Sequence, residues 1–165
     1  SILDIGTGSG CLSICLAKEY INSKVTAIDI SSKAIKIASK NIRFHNCSHQ
    51  IIKKNCDIDS LNQKFDLIVS NPPYLSEQEY YNSSQSIKDF EPKIAFLGGI
   101  DGLLFYKKFA KVLPNLMKKN SALILEIGEN QALNCIKIFK DSGLYFLKKT
   151  KDLQKKDRIL IFCKI

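Results

Sequence analysis

At 165 residues, with 45% hydrophobic and 25% charged side chains, the chain has the size and composition of one domain that buries its own core, which excludes the disordered and collagen-like classes. No stretch approaches the ~20 apolar residues of a membrane span, and no basic-then-apolar leader is visible, so the expectation is a soluble protein of the cytoplasm or an organelle matrix, without membrane contact. The excess of 25 Lys+Arg over 16 Asp+Glu gives a net charge of +9. Lysine supplies nearly all of it and is scattered, so a solvated surface is expected rather than direct nucleic-acid binding.

The first residues, "SILDIG", already lie inside a strand with no initiator methionine, which reads as a fragment. Strand 2–5 leads into a glycine turn and a helical pattern over 10–20, and a second strand, 24–29, ends at Asp29. A helix over 32–45 follows, with Ser31 or Ser32 as its cap and Ala34, Ile35, Ala38 and Ile42 at helical spacing on the face laid against the sheet. Strands 50–54 and 65–70 come next, then an irregular stretch over 75–99 of the length expected for a lid or binding segment. A helix over 102–116, a strand over 122–127, a helix over 130–142 and strands over 145–149 and 158–164 follow in turn. This alternation predicts a single α/β domain over 1–165 with a largely parallel sheet. The last two strands have no crossover helix between them and are expected to pair as an antiparallel hairpin.

Six cysteines, Cys11, Cys15, Cys47, Cys56, Cys135 and Cys163, form no C-x-x-C pair and have no histidine pair nearby, so reduced thiols and no metal site are expected. Cys11 and Cys15, four apart on a helix, are read as small core residues. His45 and His49 are read as solvated loop residues.

In "ILDIGTGSG" a strand runs straight into Gly6-Thr7-Gly8-Ser9-Gly10 and then a helix. Glycines allow positive φ and close approach of a ligand, and the helix start presents unpaired N–H groups, so a nucleoside cofactor is expected above this loop. A dinucleotide fingerprint needs G-x-G-x-x-G, whereas residue 11 is cysteine, which weakens a nicotinamide reading. Asp29, about twenty positions on, is placed to accept both ribose hydroxyls, the job an acidic residue does in nucleotide and S-adenosylmethionine sites. Asp4 either braces the loop, offsets a sulfonium charge or merely caps the turn. Asp57, with Ile58 as an apolar wall, is the candidate for holding an adenine amine, and Asp59 competes with it.

"DLIVSNPPYLSE" ends a buried strand in a stiff turn. Pro72 and Pro73 lack N–H groups and restrict φ, and Pro72 biases Asn71 toward extended backbone. The Asn71 Oδ1 and the Pro72 carbonyl are therefore candidates to accept the two hydrogens of a planar –NH2 group, aiming its nitrogen at a methyl donor, with Tyr74 as a flat wall. The fourth strand's carboxyl end faces the same crevice as the first strand's, which puts Asn71 beside the cofactor.

"ILDIGTGSGCLSICLA", "AIDIS", "FDLIVSNPPYL", "FEPKIAFLGGIDGLLFYKKF", "LILEIGENQ" and "KDLQKKDRILIF" together resemble the release factor glutamine methyltransferases, over essentially the whole chain. The resemblance implies a Rossmann-like, seven-stranded, S-adenosylmethionine-dependent methyltransferase fold acting on the glutamine of a Gly-Gly-Gln loop in class I peptide release factors, as a monomer. It implies Gly6, Thr7, Gly8, Ser9 and Gly10 as the methionine-binding loop and Asp29 as the ribose acid. It also implies Asn71, Pro72, Pro73 and Tyr74 as the acceptor-amide site, and Glu91 and Pro92 on the substrate side. Two departures stand out: the family's helical N-terminal domain is absent, and Lys155 occupies a turn position where the family usually has glycine. The alternative is an amino-methyltransferase acting on an exocyclic base amine of DNA or RNA, since NPPY is shared with such enzymes.

Overall fold

Short β-branched and apolar runs form the strands, the central ones buried on both faces, and helices cover both faces of the sheet they form. The computed structural model describes residues 1–82 and 96–165. In chain order its elements are β1 (Ile2–Ile5), α1 (Cys11–Glu19), β2 (Val25–Asp29), α2 (Ser32–Phe44), β3 (Ile51–Asn55), a 3-10 turn (Ile58–Ser60), β4 (Phe65–Ser70), α3 (Glu77–Asn82), α4 (Leu104–Leu116), β5 (Met117–Glu126), α5 (Ala132–Asp141), β6 (Tyr145–Lys151) and β7 (Asp157–Lys164). The sheet has seven strands in the order β3-β2-β1-β4-β5-β7-β6. β1 to β5 are mutually parallel, and β7 runs antiparallel to both its neighbours.

The expected antiparallel hairpin is present, but its second strand lies inside the sheet. β7 inserts between β5 and β6, with Ile124 opposite Ile161 on one side and Phe146 opposite Phe162 on the other. Two apolar clusters pack against the sheet. On one side Ile2, Val25 and Ala27 meet Ile14 and Ala17 of α1 and Ala38 and Ile42 of α2. On the other, Leu3, Ile28, Ile68, Leu123 and Phe162 meet Tyr106, Phe109 and Leu113 of α4 and Cys135 and Phe139 of α5. Successive strand residues thus feed opposite clusters, the period-two alternation of a sheet covered on both faces.

Three expectations are corrected. β5 begins at Met117, not at residue 122, and carries a register shift before Leu67 pairs with Ala122. The stretch read as irregular contains α3, and Leu75 bridges Leu97 in parallel. Cys11 and Cys15 are exposed rather than in the core, because Ser13, Ile14 and Ala17 form the inward face of α1. All six cysteines are free, and burial pushes the Cys135 thiol up to about 12. Of the two possible caps for α2 it is Ser31 that serves, accepting from the Ala34 N–H at 3.3 Å. Among the described residues no helix is long and apolar enough to cross a membrane.

Candidate active site

The chain order reverses direction between β1 and β4, and that switch point is where open α/β sheets bind ligands. Register fixes what meets there. Ile5 stands opposite both Ile28 and Ser70, and the Ser70 hydroxyl donates to the Ile5 carbonyl at 2.8 Å. The residues that follow, Gly6 after β1, Asp29 at the end of β2 and Asn71 after β4, therefore leave the sheet at one level. The structure brings these three sequence-predicted groups together.

The glycine loop turns through left-handed backbone at Gly6, Gly8 and Gly10, with φ of 70°, 55° and 85°. Gly10 is the tightest: a Cβ there would stand 3.2 Å from the Ala38 Cβ, so α2 can approach only a glycine. The loop is tied back by the Gly6 and Thr7 amides, which both donate to the Ile28 carbonyl. Asn41 of α2 adds a bond from its Nδ2 to the Ser9 carbonyl at 2.8 Å.

Asp4 lies fully buried under this loop. Its Oδ2 accepts from the Thr7 hydroxyl at 2.7 Å and the Ser13 hydroxyl at 2.6 Å, so of the roles open to it, bracing the loop is the one its contacts fulfil. Burial pushes its carboxyl above the ordinary range, against the lowering effect of those two hydroxyls. Its other oxygen, Oδ1, has no hydrogen-bond partner among the described residues, a buried acceptor under the loop that suits a ligand bearing a donor or positive charge.

Asp29 is held by the loop it faces. Its Oδ2 accepts from the Gly8 N–H at 2.9 Å and its Oδ1 from the Ser31 N–H at 2.8 Å. A carboxylate has about four lone-pair sites, so each oxygen keeps one free for a vicinal hydroxyl pair.

Asp57 and Asp59 do not separate by partner, because Lys108 of α4 pairs with both, at 2.6 Å and 2.9 Å. Asp57 is further fixed as the cap of the 3-10 turn, accepting from the Ile58 N–H at 2.6 Å. The Ile58 side chain, expected as a pocket wall, is only 2% exposed and packs in the larger core, so it offers a ligand little beyond its backbone.

After β4, Asn71 is exposed and Pro72 buried. Among the described residues neither the Asn71 side chain nor the Pro72 carbonyl has a hydrogen-bond partner, so both acceptors are available. Tyr74 is half-buried and anchored toward β5 and β7. Its hydroxyl donates to Glu126 Oε1 at 3.4 Å, and the Arg158 guanidinium lies 6.0 Å from its ring centre. Burial raises its pKa, with the Glu126 charge adding to the rise. Its carbonyl accepts from Gln131 Nε2 at 2.7 Å. Glu126, Gln131 and Arg158 are neighbours of Tyr74 that the sequence does not single out; Glu126 and Gln131 fall in "LILEIGENQ", where β5 ends and turns polar, and Arg158 in "KDLQKKDRILIF". Glu91 and Pro92 lie outside the described residues.

A groove lined by Lys140, Gly143, Leu144, Tyr145 and Phe146 opens at the start of β6, the opposite end of the sheet from these groups. Among the described residues no three His, Cys, Asp or Glu side chains are placed to hold a metal.

The family model described as "Methyltransferase small domain" matches residues 1–89. A release factor glutamine methyltransferase of Fusobacterium nucleatum is 40% identical over 163 residues, covering 98% of this chain and 46% of the relative. A bifunctional methyltransferase of Rickettsia bellii is 43% identical over 162 residues, covering 97% of this chain and 29% of the relative. The chain thus spans less than half the length of each. Among solved structures, a ribosomal protein L11 methylase from Lactobacillus delbrueckii subsp. bulgaricus superposes with a TM-score of 0.71 at 19% identity, over 99% of this chain and 68% of the other. A methyltransferase from Pyrococcus furiosus gives 0.71 at 23% identity, over 98% and 73%. The seven-stranded fold is therefore that of the class I methyltransferases.

Proposed function

Since the chain belongs to the methyltransferase small domain family, we propose that it is the catalytic domain of an S-adenosylmethionine-dependent methyltransferase whose acceptor is the side-chain amide nitrogen of the Gly-Gly-Gln glutamine in class I release factors. The observation that carries the reading is the common level of Gly6, Asp29 and Asn71, which sets two free carbonyl acceptors beside a loop built for a nucleoside. S-adenosylmethionine, when bound, supplies an electrophilic methyl group on a sulfonium. Asp29, oriented by the Gly8 and Ser31 amides, would accept the ribose hydroxyls, and the Gly6–Gly10 backbone would admit the methionine portion. The buried Asp4 Oδ1, without a partner among the described residues, is an acceptor that would suit a donor or positive charge on that group.

The chain's own part in the chemistry is to orient. Asn71 Oδ1 and the Pro72 carbonyl each accept one hydrogen of the substrate amide, which fixes the plane of the –NH2 group, and the Pro-Pro backbone keeps those acceptors from turning away. Tyr74 bounds the pocket on the β5 side. Relatives at 37% and 40% identity named release factor glutamine methyltransferase support glutamine as the acceptor.

The test is methyl transfer from labelled S-adenosylmethionine to a release factor by the full-length protein. Label should appear on the Gly-Gly-Gln glutamine, and Asn71→Ala should lower kcat ~10²-fold or more, the scale on which misplaced reactants lose rate. Label on a nucleic-acid amine and none on that glutamine would overturn the assignment.

A further inference from the structure

The turn that presents Asn71 and Pro72 is stiff within itself, but stiffness does not decide where it stands relative to the glycine loop. That needs an anchor outside the turn, and one side chain supplies it. Gln131, at the start of α5, uses one planar amide to join three separate connections. Its Nε2 donates to the Tyr74 carbonyl at 2.7 Å and to the Gly102 carbonyl at 3.3 Å, and its Oε1 accepts from the Gly128 N–H at 2.9 Å.

The backbone is arranged to let this happen. Gly102 has φ 70°, and a Cβ there would overlap both Gln131 Nε2 and the Tyr74 carbonyl. A Cβ on Gly98 would come within 2.8 Å of the Pro73 carbonyl, and one on Gly128 within 3.0 Å of Gln131 Oε1. The 98–102 segment and the turn after β4 therefore meet backbone to backbone around one amide. The contact continues into the chain beyond Tyr74, where the Gly98 N–H donates to the Leu75 carbonyl at 2.8 Å. Only a side chain with two donors and an acceptor in one plane fits: glutamate has no donor when ionised and lysine has no acceptor.

We propose that Gln131 is a positioning residue for methyl transfer, clamping the acceptor turn at Tyr74 so that Asn71 and Pro72 stand at a fixed distance from the glycine loop. It touches neither substrate nor cofactor and acts through Tyr74. The proposal rests on the assignment of Asn71–Tyr74 as the acceptor site.

In the full-length protein, with labelled S-adenosylmethionine and a release factor, Gln131→Glu and Gln131→Ala should lower kcat about 10- to 100-fold, the scale of a sub-ångström to 1 Å misplacement. The Kd for S-adenosylmethionine should stay within about twofold, because the Gly6–Gly10 loop and Asp29 share no bond with Gln131. Gln131→Asn, which keeps the amide one methylene short, should recover part of the loss. Amide exchange without substrate should show protection lost at Gly98 and Gly128 in Gln131→Ala and kept at Gly6 and Thr7. Wild-type kcat in both Gln131→Glu and Gln131→Ala would overturn the clamp, as would unchanged exchange at Gly98 and Gly128. The two readings fail separately: full activity in Asn71→Ala removes the acceptor assignment and this proposal with it, whereas an inactive Asn71→Ala beside fully active Gln131 variants removes the clamp alone.

Discussion

Asp4 sits in an environment that works against its charge. Its carboxyl is fully buried and lifted above the ordinary range of about 3.9, so the folded protein holds this proton to a higher pH than the unfolded chain does. Stability is then expected to fall as pH rises from that ordinary value through the raised one, with the penalty complete above it. Asp4→Asn keeps an oxygen for the Thr7 and Ser13 hydroxyls and removes the titration. Urea unfolding should show the dependence flattened in that window and stability at pH 7 within about 1 kcal/mol of wild type, the offset being an –NH2 group where Oδ1 had no partner. A second residue carries strain on the surface. Lys155 sits at φ 62°, the left-handed conformation that a glycine takes without cost. Lys155→Gly should raise stability by about 0.5 kcal/mol, read as a higher urea midpoint at unchanged slope, since relieved strain exceeds the added freedom of the unfolded chain.

At the scale of elements, the interior position of β7 makes its aromatic residue a joint between neighbours. Phe162 is fully buried and packs 4.9 Å from the Phe139 ring and 5.8 Å from the Phe146 ring. Phe162→Ala should cost about 3–5 kcal/mol, measurable by chemical unfolding, because three elements lose one shared filler. Gly102→Ala should lower both stability and methyl transfer, since a Cβ there, at φ 70°, displaces the Tyr74 carbonyl and the Gln131 amide together; a melting curve beside a rate assay reads both. Strand and helix positions were legible in the sequence because apolar spacing is a local property. β1 and β4 fall where their apolar runs do, and Ser31 caps α2 through a short-range bond. The insertion of β7 was not legible, since a hairpin pattern looks the same whether its second strand lies at an edge or in the middle. Around the candidate site, the left-handed turns at Gly6, Gly8 and Gly10 were legible from the glycines themselves, and the place of Asn71 from the apolar run that ends at Ser70. Gln131 was not, because its role depends on carbonyls 57 and 29 positions away, which only folding brings near. Ile58 was misplaced for the converse reason: an apolar residue beside an acidic one reads as a wall, but the 3-10 turn rotates it into the core.

For the whole molecule, the proposed cofactor would contact the loops after β1 and β4 and the end of β2 at once. A ligand that binds only the folded form stabilises it by mass action, about 2.7 kcal/mol at a hundred times Kd. For a chain of 165 residues this is a rise of about 5–10 °C in the melting temperature with S-adenosylmethionine. Asp29→Ala should abolish most of that rise while leaving the ligand-free melting temperature within a few degrees. The strand order also bears on how the protein comes into being. β5 presents Glu126 and the Gln131 turn to the site, yet one of its edges is paired by β7, the last strand in chain order. During synthesis β5 can already pair with β4, but its other edge and β6 find no neighbouring strand until β7 follows. The fold is thus committed to closing late, by threading its final strand between two that are already made, and an unfinished chain exposes the strand edges on which aggregation begins.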